Sequence, residues 1–337
     1  VKSIFLIKNG DSSSAFEVRD SPKPVCGPGQ ILVKTRGFGL NYADVMARLG
    51  LYKDAPPIPS VLGYDVCGVV EQVGDGVTHV KPGDTVTAMT RFGGYAEYAL
   101  TLSPATVKIP ADLRSDIATA LATQYCTAWH AACEMVQLMP GDKVLISAAA
   151  GGVGTALIQI ALNKGCKVIA VVGNDQKGEL VKSLGAADWY NYRKCDVHAE
   201  VLNAHGRMDV IFDSVGGSNV SKGFQLLNYG GKMVCYGAAQ MASRRNIFSK
   251  IRFGLAFGIY HPAQFMMNSK SFIGVNMLRL ADHRPQAVQR ALEGVMELFH
   301  AGKIKPVEGK IFNASQIAEA HDYLASGQSV GKIAVEW

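Results

Sequence analysis

The residues best placed for chemistry are Ala148-Ala-Ala-Gly-Gly-Val-Gly154, which join the apolar run Lys143-Val-Leu-Ile-Ser147 to a helical pattern over 154–164. A pyrophosphate needs backbone N–H groups with no side chains in the way, and it gains from the positive end of a helix. Ala150, Gly151, Gly152, Val153 and Gly154 are the expected cradle. Gly151 allows the tight turn, and Gly152 and Gly154 allow close approach and close helix packing. The motif alone is weak and could mark a tight structural turn; its place in a β-α-β unit gives it weight.

The next strand should end at Val171-Val-Gly173, with Asn174 following. A site for NAD usually places an acid there, against the ribose 2′-hydroxyl. Here no acid repels a 2′-phosphate, and Lys177 opens the next helix. Tyr192-Arg193 ends the following short strand and offers a second donor. Asp175 lies nearby and opposes the reading. The balance points to NADPH at Gly173, Asn174, Lys177 and Tyr192.

The surrounding elements fit such a site. Strands expected at Lys143–Ser147, Lys167–Val172, Asp209–Asp213 and Lys232–Tyr236 alternate with helical segments, as in a parallel sheet covered on both faces. The region before Asp116 instead shows short alternating strands punctuated by Pro-Gly and Gly-Gly, which reads as a β-rich domain. Phe272-Ile-Gly-Val-Asn276 and Lys332-Ile-Ala-Val-Glu336 read as strands that return to it. The expected fold is α/β: a discontinuous β-rich substrate domain over 1–122 and 273–337, and a doubly wound dinucleotide domain over 123–272, with the active site in a cleft between them.

Composition narrows the classes. The chain has 337 residues, 48% hydrophobic and 18% charged, which suits two globular domains. The net charge of +6 is mild, and no Lys/Arg-rich stretch suggests nucleic acid. Between Ser214 and Ala281 there is no Asp or Glu, but there are eight Lys or Arg residues, an excess that favours anionic ligands. The seven scattered cysteines contain no C-x-x-C pair and suit a reducing compartment. No signal peptide or membrane span is expected, so a cytoplasmic location is.

Further motifs carry a resemblance. Gly39-Leu-Asn41-Tyr-Ala-Asp44, Arg48-Leu-Gly50-Leu-Tyr52, Gly63-Tyr-Asp65-Val-Cys-Gly68, Lys81-Pro-Gly-Asp84, Gly94-Tyr-Ala-Glu97-Tyr, the glycine loop, Asp213-Ser-Val-Gly-Gly217 and Gly331-Lys-Ile333 run the length of the chain. Together they resemble the zinc-independent quinone oxidoreductases of the medium-chain dehydrogenase/reductase superfamily, with the vesicle amine transport protein-like branch nearest. The resemblance implies a GroES-like domain joined to a Rossmann domain. It implies Asn41 and Thr127 near the nicotinamide and its ribose, and Ser214, Val215, Tyr236 and Gly237 lining the cofactor cleft. It also implies Asn276 and Lys332 near the nicotinamide end, a proton-positioning role for Tyr52, and a homodimer.

Zinc relatives carry a cysteine in the first motif and a histidine where this chain has Tyr64. The four clustered cysteines of a structural zinc lobe are missing, so no metal is expected. Without a metal to polarise a carbonyl, the substrate must already be electrophilic. A quinone or an activated enone meets that condition, with Asn41 and Tyr52 as catalytic hydrogen-bonding residues. The alternatives are an enoyl-thioester reductase and a cofactor-binding adaptor with little turnover. The branch resemblance also marks an insertion at about 241–271, including Arg245-Asn246. Its Ile247, Ile251 and Leu255 share a helical face with Phe248 beside them, ringed by Arg244, Arg245, Lys250 and Arg252. That segment is expected to form a lid over the cleft, with contact to an anionic membrane surface as the alternative.

Overall fold

The strands expected at 143–147, 167–172, 209–213 and 232–236 form and pair in parallel, whereas Phe272–Asn276, expected to return to the first domain, instead forms the strand Ser271–Gly274 and extends this same sheet beside Leu227–Cys235. In the computed structural model, which describes residues 1–337 apart from Arg244, Arg245 and the side chains of Ser243 and Ile247, six strands make one sheet. Their order is Asp188–Asn191, Lys167–Val172, Lys143–Ile146, Met208–Asp213, Leu227–Cys235, Ser271–Gly274. The central strand has Leu145 opposite both Ile169 and Ile211. Val144, Leu145 and Ile146 are all buried, which is why this strand reads as an unbroken apolar run rather than an alternation. Helices Gly152–Asn163, Asp175–Ser183, Val197–His205 and Ser218–Leu226 occupy the connections.

The N-terminal part is built on the long strand Gln30–Leu40, which pairs antiparallel with Asp65–Val73, Ile333–Glu336 and Tyr98–Leu102. Its seven-stranded sheet runs Lys310–Asn313, Ile333–Glu336, Gln30–Leu40, Asp65–Val73, Thr85–Met89, Thr106–Lys108, with Tyr98–Leu102 beside Gln30–Leu40. A second sheet of three strands, Phe16–Asp20, Lys2–Leu6 and Ser60–Val61, closes over the same core. Ile4, Leu6, Phe38, Leu40, Val66 and Val335 fill it. The register sets Gly39 directly opposite Asp65 on one side and Ala334 on the other. Residues some 300 positions apart in sequence thereby become neighbours.

The chain divides into two units: Val1–Cys126 with Met277–His300 and Pro306–Trp337, and Thr127–Asn276 with Ala301–Lys305. The breaks lie four residues beyond those expected from sequence at 122/123 and 272/273. The short piece 301–305 was not anticipated. It belongs with the second unit because the Gln159 and Asn163 amides donate to the carbonyls of Lys305 and Lys303, at 3.1 and 2.6 Å. No helix of the described residues is long and apolar enough to cross a membrane.

Candidate active site

In the second unit, parallel pairing puts the carboxyl ends of all six strands on one edge of the sheet. The glycine loop follows Lys143–Ile146, and Gly173 and Asn174 follow Lys167–Val172. Tyr192 follows Asp188–Asn191, Ser214 and Val215 follow Met208–Asp213, and Tyr236 and Gly237 follow Leu227–Cys235. Asn276 stands two residues beyond Ser271–Gly274 and is exposed. Ligands of open α/β sheets bind along this edge. Thr127 follows no strand; it is buried in the short helix Cys126–Trp129.

The loop has the shape an anion requires. Gly151 is the N-cap of Gly152–Asn163, and no side chain caps that helix end. A Cβ on Gly154 would stand 2.6 Å from the carbonyl oxygens of both Ala148 and Ala149, so only glycine lets the helix start this close to the strand. Ala148 takes a left-handed conformation, φ +51°, to turn the chain. Across the edge, the Asp213 carboxylate accepts the Gly216 N–H at 2.7 Å and holds the loop that presents Ser214 and Val215. A Cβ on Gly237 would meet the Ser214 carbonyl at 2.9 Å, so these two loops touch through backbone. Burial raises the Tyr236 phenol above its ordinary range and keeps it protonated.

At the end of Lys167–Val172, the Tyr192 ring covers Gly173; a Cβ there would lie 3.0 Å from the phenol oxygen. Asn174 caps the next helix, its Oδ1 accepting the Lys177 N–H at 2.8 Å. Burial, then repulsion from Arg193, lowers the Lys177 ammonium below its usual range, so two cations share this corner. The Arg193 guanidinium is 5.8 Å from the Tyr192 ring centroid. Asp175, the acid that opposed the sequence reading, is turned to other partners. It accepts from the Asn191 amide at 3.0 Å and pairs with Lys194. Its charge is therefore matched before any ligand arrives.

In the first unit, Asn41, Asp44, Asp65 and Lys332 form a polar cluster inside an apolar core. Lys332 Nζ lies 2.7 Å from Asp65 Oδ2 and 2.8 Å from Asn41 Oδ1, and Asn41 Nδ2 donates to Asp65 Oδ2 at 2.8 Å. Lys332 and Asp65 are fully buried, whereas Asn41 is half-buried. Lys332, expected at the nicotinamide end, thus has its ammonium committed to two groups of its own unit. Asn41 stands at the N-cap of Tyr42–Arg48, where the Asp44 carboxylate accepts the Asn41 N–H at 2.8 Å. Burial, and the Asp65 charge after it, raise Asp44 to about 7. In the sequence, Asp44 and Asp65 stand out only as parts of the longer motifs Gly39–Asp44 and Gly63–Gly68. The available signal was the strand Asp65–Val73, whose otherwise apolar buried start carries a carboxylate.

Tyr52 is half-buried and sets its ring edge-on to Tyr64, centroids 6.2 Å apart at 88°. Burial raises its phenol above the usual range, so it can donate a proton or hydrogen bond but is no base near neutrality. Among the described residues no group of three or more His, Cys, Asp or Glu could hold a metal ion.

Deeper in the same unit, Tyr95 Oη lies 3.2 Å from His321 Nε2, and both residues are fully buried. Burial, then the Arg48 charge, pushes His321 down to about 3. An unfolded chain takes up a proton at this histidine near pH 6.5, and the folded one does not. Stability is therefore lost as pH falls from 6.5 towards 3, by on the order of 1 kcal/mol per pH unit. Asp44 works the other way, because its carboxyl is protonated in the folded state first. His321→Gln should flatten the acid limb relative to the unsubstituted protein. Urea midpoints at pH 7 and pH 5 check this; equal losses in the two proteins would assign the acid limb elsewhere.

The insertion corrects one expectation. Its helix Ile247–Ala256 does not bury the Ile251 and Leu255 face: these are 54% and 65% exposed, and Phe248 is 80% exposed. Phe253 is buried instead, and the rings of Phe253 and Phe257 meet at 85°. Both rings pack on Gly216, and Phe253 also packs on Gly217, where a Cβ would meet them at 2.8–3.1 Å. A pair of side-chain-free residues offers a better seat for flat rings than branched aliphatics could use. The insertion thus rests on the loop that carries Ser214 and Val215. Arg244 and Arg245, expected to ring the apolar face, lie outside the described residues.

Comparison with known proteins fits this geometry. Residues 27–111 match the family described as "Alcohol dehydrogenase GroES-like domain", and residues 152–293 the family described as "Zinc-binding dehydrogenase". A "Quinone oxidoreductase" of Homo sapiens is 31% identical over 318 residues, covering 93% of this chain and 91% of the relative. The "Synaptic vesicle membrane protein VAT-1 homolog" of Danio rerio is 31% identical over 314 residues; the match covers 92% of this chain but 65% of that longer relative. A solved mycobacterial structure, complexed with NADPH, superposes with a TM-score of 0.86 at 25% identity, covering 100% of this chain and 99% of that one.

Proposed function

Because the chain belongs to the medium-chain dehydrogenase/reductase superfamily, with quinone oxidoreductases among its relatives, we propose that it is an NADPH-dependent, zinc-independent reductase of quinones or activated enones. The observation that carries the cofactor half is the corner at Gly173. Its acid, Asp175, is already paired, a tyrosine lies over the glycine, and the charge of Arg193 acts against the Lys177 ammonium. Two cations that repel one another are relieved by a dianionic phosphate, which a 2′-hydroxyl cannot supply. Gly151, Gly152, Val153 and Gly154 would hold the pyrophosphate at the uncapped helix end. Ala150, Asn174, Tyr192, Ser214, Val215, Tyr236, Gly237 and Asn276 would border the cofactor along the same sheet edge, with Thr127 beside it.

When bound, the nicotinamide supplies hydride. The chain's own part is to bind, orient and donate hydrogen bonds. Asn41 and Tyr52 would stabilise negative charge on the acceptor's oxygen, a task for donors rather than bases. Asp44 is no proton source for solvent-side chemistry, since it is fully buried behind the Asn41 backbone. A protein with these donors and no metal should reduce conjugated carbonyl compounds and leave simple alcohols untouched, because an alcohol needs a base or metal to remove its proton. An enoyl-thioester reductase would share the same cluster, so a screen must include acyl thioesters. A homodimer is the expected assembly of this family. A cofactor-binding adaptor would bind NADPH and turn nothing over. Following NADPH oxidation across quinones, enones, acyl thioesters and alcohols separates these readings.

A further inference from the structure

Fully buried ion pairs are weak evidence for stability, because removing two charges from water offsets most of their attraction. The Asp65–Lys332 pair is an exacting arrangement. Gly39 must lack a side chain, since a Cβ would lie 2.1 Å from Asp65 Oδ1 and 2.2 Å from Lys332 Cε. Asp65 Oδ1 has no hydrogen-bond partner among the described residues. Both charges do, however, converge on one half-buried amide. The ammonium meets Asn41 Oδ1 and the carboxylate meets Asn41 Nδ2, each at 2.8 Å.

We propose that Asp65 and Lys332 are positioning residues that lock the Asn41 side-chain amide in one orientation, so that its second Nδ2 proton faces an acceptor oxygen of the bound reactant. An asparagine amide is nearly symmetric in shape, and in a neutral pocket it can turn over by 180°. Here the turned amide would set N–H protons against an ammonium and an oxygen against a carboxylate, two mismatches in a dry site. The backbone is fixed as well, because the Asp44 carboxylate takes the Asn41 N–H. One Nδ2 proton is committed to Asp65, and the other is left to donate. The site therefore selects for a reactant oxygen that accepts, as a quinone or enone carbonyl does, over a group that donates. This rests on the reading of Asn41 as a catalytic residue.

The test uses Asp65→Asn/Lys332→Met, which removes both charges together and leaves neither one stranded. Quinone turnover should fall at least tenfold while the KM for NADPH stays within twofold. Adding Asn41→Ala to that background should lower kcat by less than twofold more, although Asn41→Ala alone lowers it at least tenfold. Normal turnover in the charge-free variant, or fully multiplicative losses, would overturn the proposal. NMR of the Asn41 side-chain amide in the unliganded, asparagine-labelled protein reads the lock without any substrate. One proton should exchange slowly and the other fast, and both should exchange alike once the charges are gone. An amide unchanged by the double substitution would overturn the lock, whereas a locked amide in a protein that reduces no quinone would sink the proposed function and leave the lock standing.

Discussion

Gly39→Ala should destabilise the protein by about 3–5 kcal/mol, the loss expected when a buried charge pair is broken. Gly39 has no left-handed φ, so the added methyl acts through space alone. It would lie 2.1 Å from Asp65 Oδ1 and 2.8 Å from Lys332 Nζ, with no room for either side chain to retreat while paired, since both are fully buried. Moving one away leaves the other charge uncompensated in an apolar core. Gly254→Ala is the matching control. It is a helical glycine whose Cβ would meet nothing within 4 Å, so the change should be neutral or gain about 0.5–1 kcal/mol. Urea unfolding of both variants measures the difference. A Gly39→Ala protein within about 1 kcal/mol of the original would mean that the pair can rearrange freely.

NADPH should bind about ten- to a hundredfold more tightly than NADH, the gain of one or two charge-assisted contacts to the 2′-phosphate. Asp175 does not offset this, because Asn191 and Lys194 already hold it. Lys177→Glu should abolish the preference by placing a carboxylate where the phosphate would lie, while NADH affinity changes little. Titration of both dinucleotides by fluorescence or calorimetry gives the answer. Equal affinities, unaltered in Lys177→Glu, would remove this corner from the binding site.

What could be read from the sequence was local in nature. The glycine loop, the apolar strands and the missing acid at Gly173 each lie within one β-α-β stretch, where period and turn chemistry carry the information. The Asp65–Lys332 pair could not be read that way, because its partners are 267 residues apart and meet only through sheet register. Resemblance implies a place for Lys332 near the nicotinamide end but says nothing of the partners that hold its ammonium, Asn41 and Asp65. Which face of the insertion's helix meets the protein was not legible for another reason. Its helix has two apolar faces, and periodicity does not say which meets the protein. The glycine pair at 216–217 decided it, a feature of a loop some forty residues earlier in the chain. Asp175 illustrates the same limit, since its sign was plain in the sequence and its partners were not.

The central claim is hydride transfer from NADPH to an electrophilic conjugated carbonyl without a metal. The most direct measurement follows NADPH absorbance while the protein, treated with a zinc chelator, meets a small quinone, an enone, an acyl thioester and a simple alcohol with NADP⁺. The account predicts NADPH oxidation with the quinone or the enone at a rate unchanged by the chelator, and no reaction with the alcohol. Turnover that vanishes on chelation and returns with zinc, or alcohol oxidation in place of quinone reduction, would contradict it.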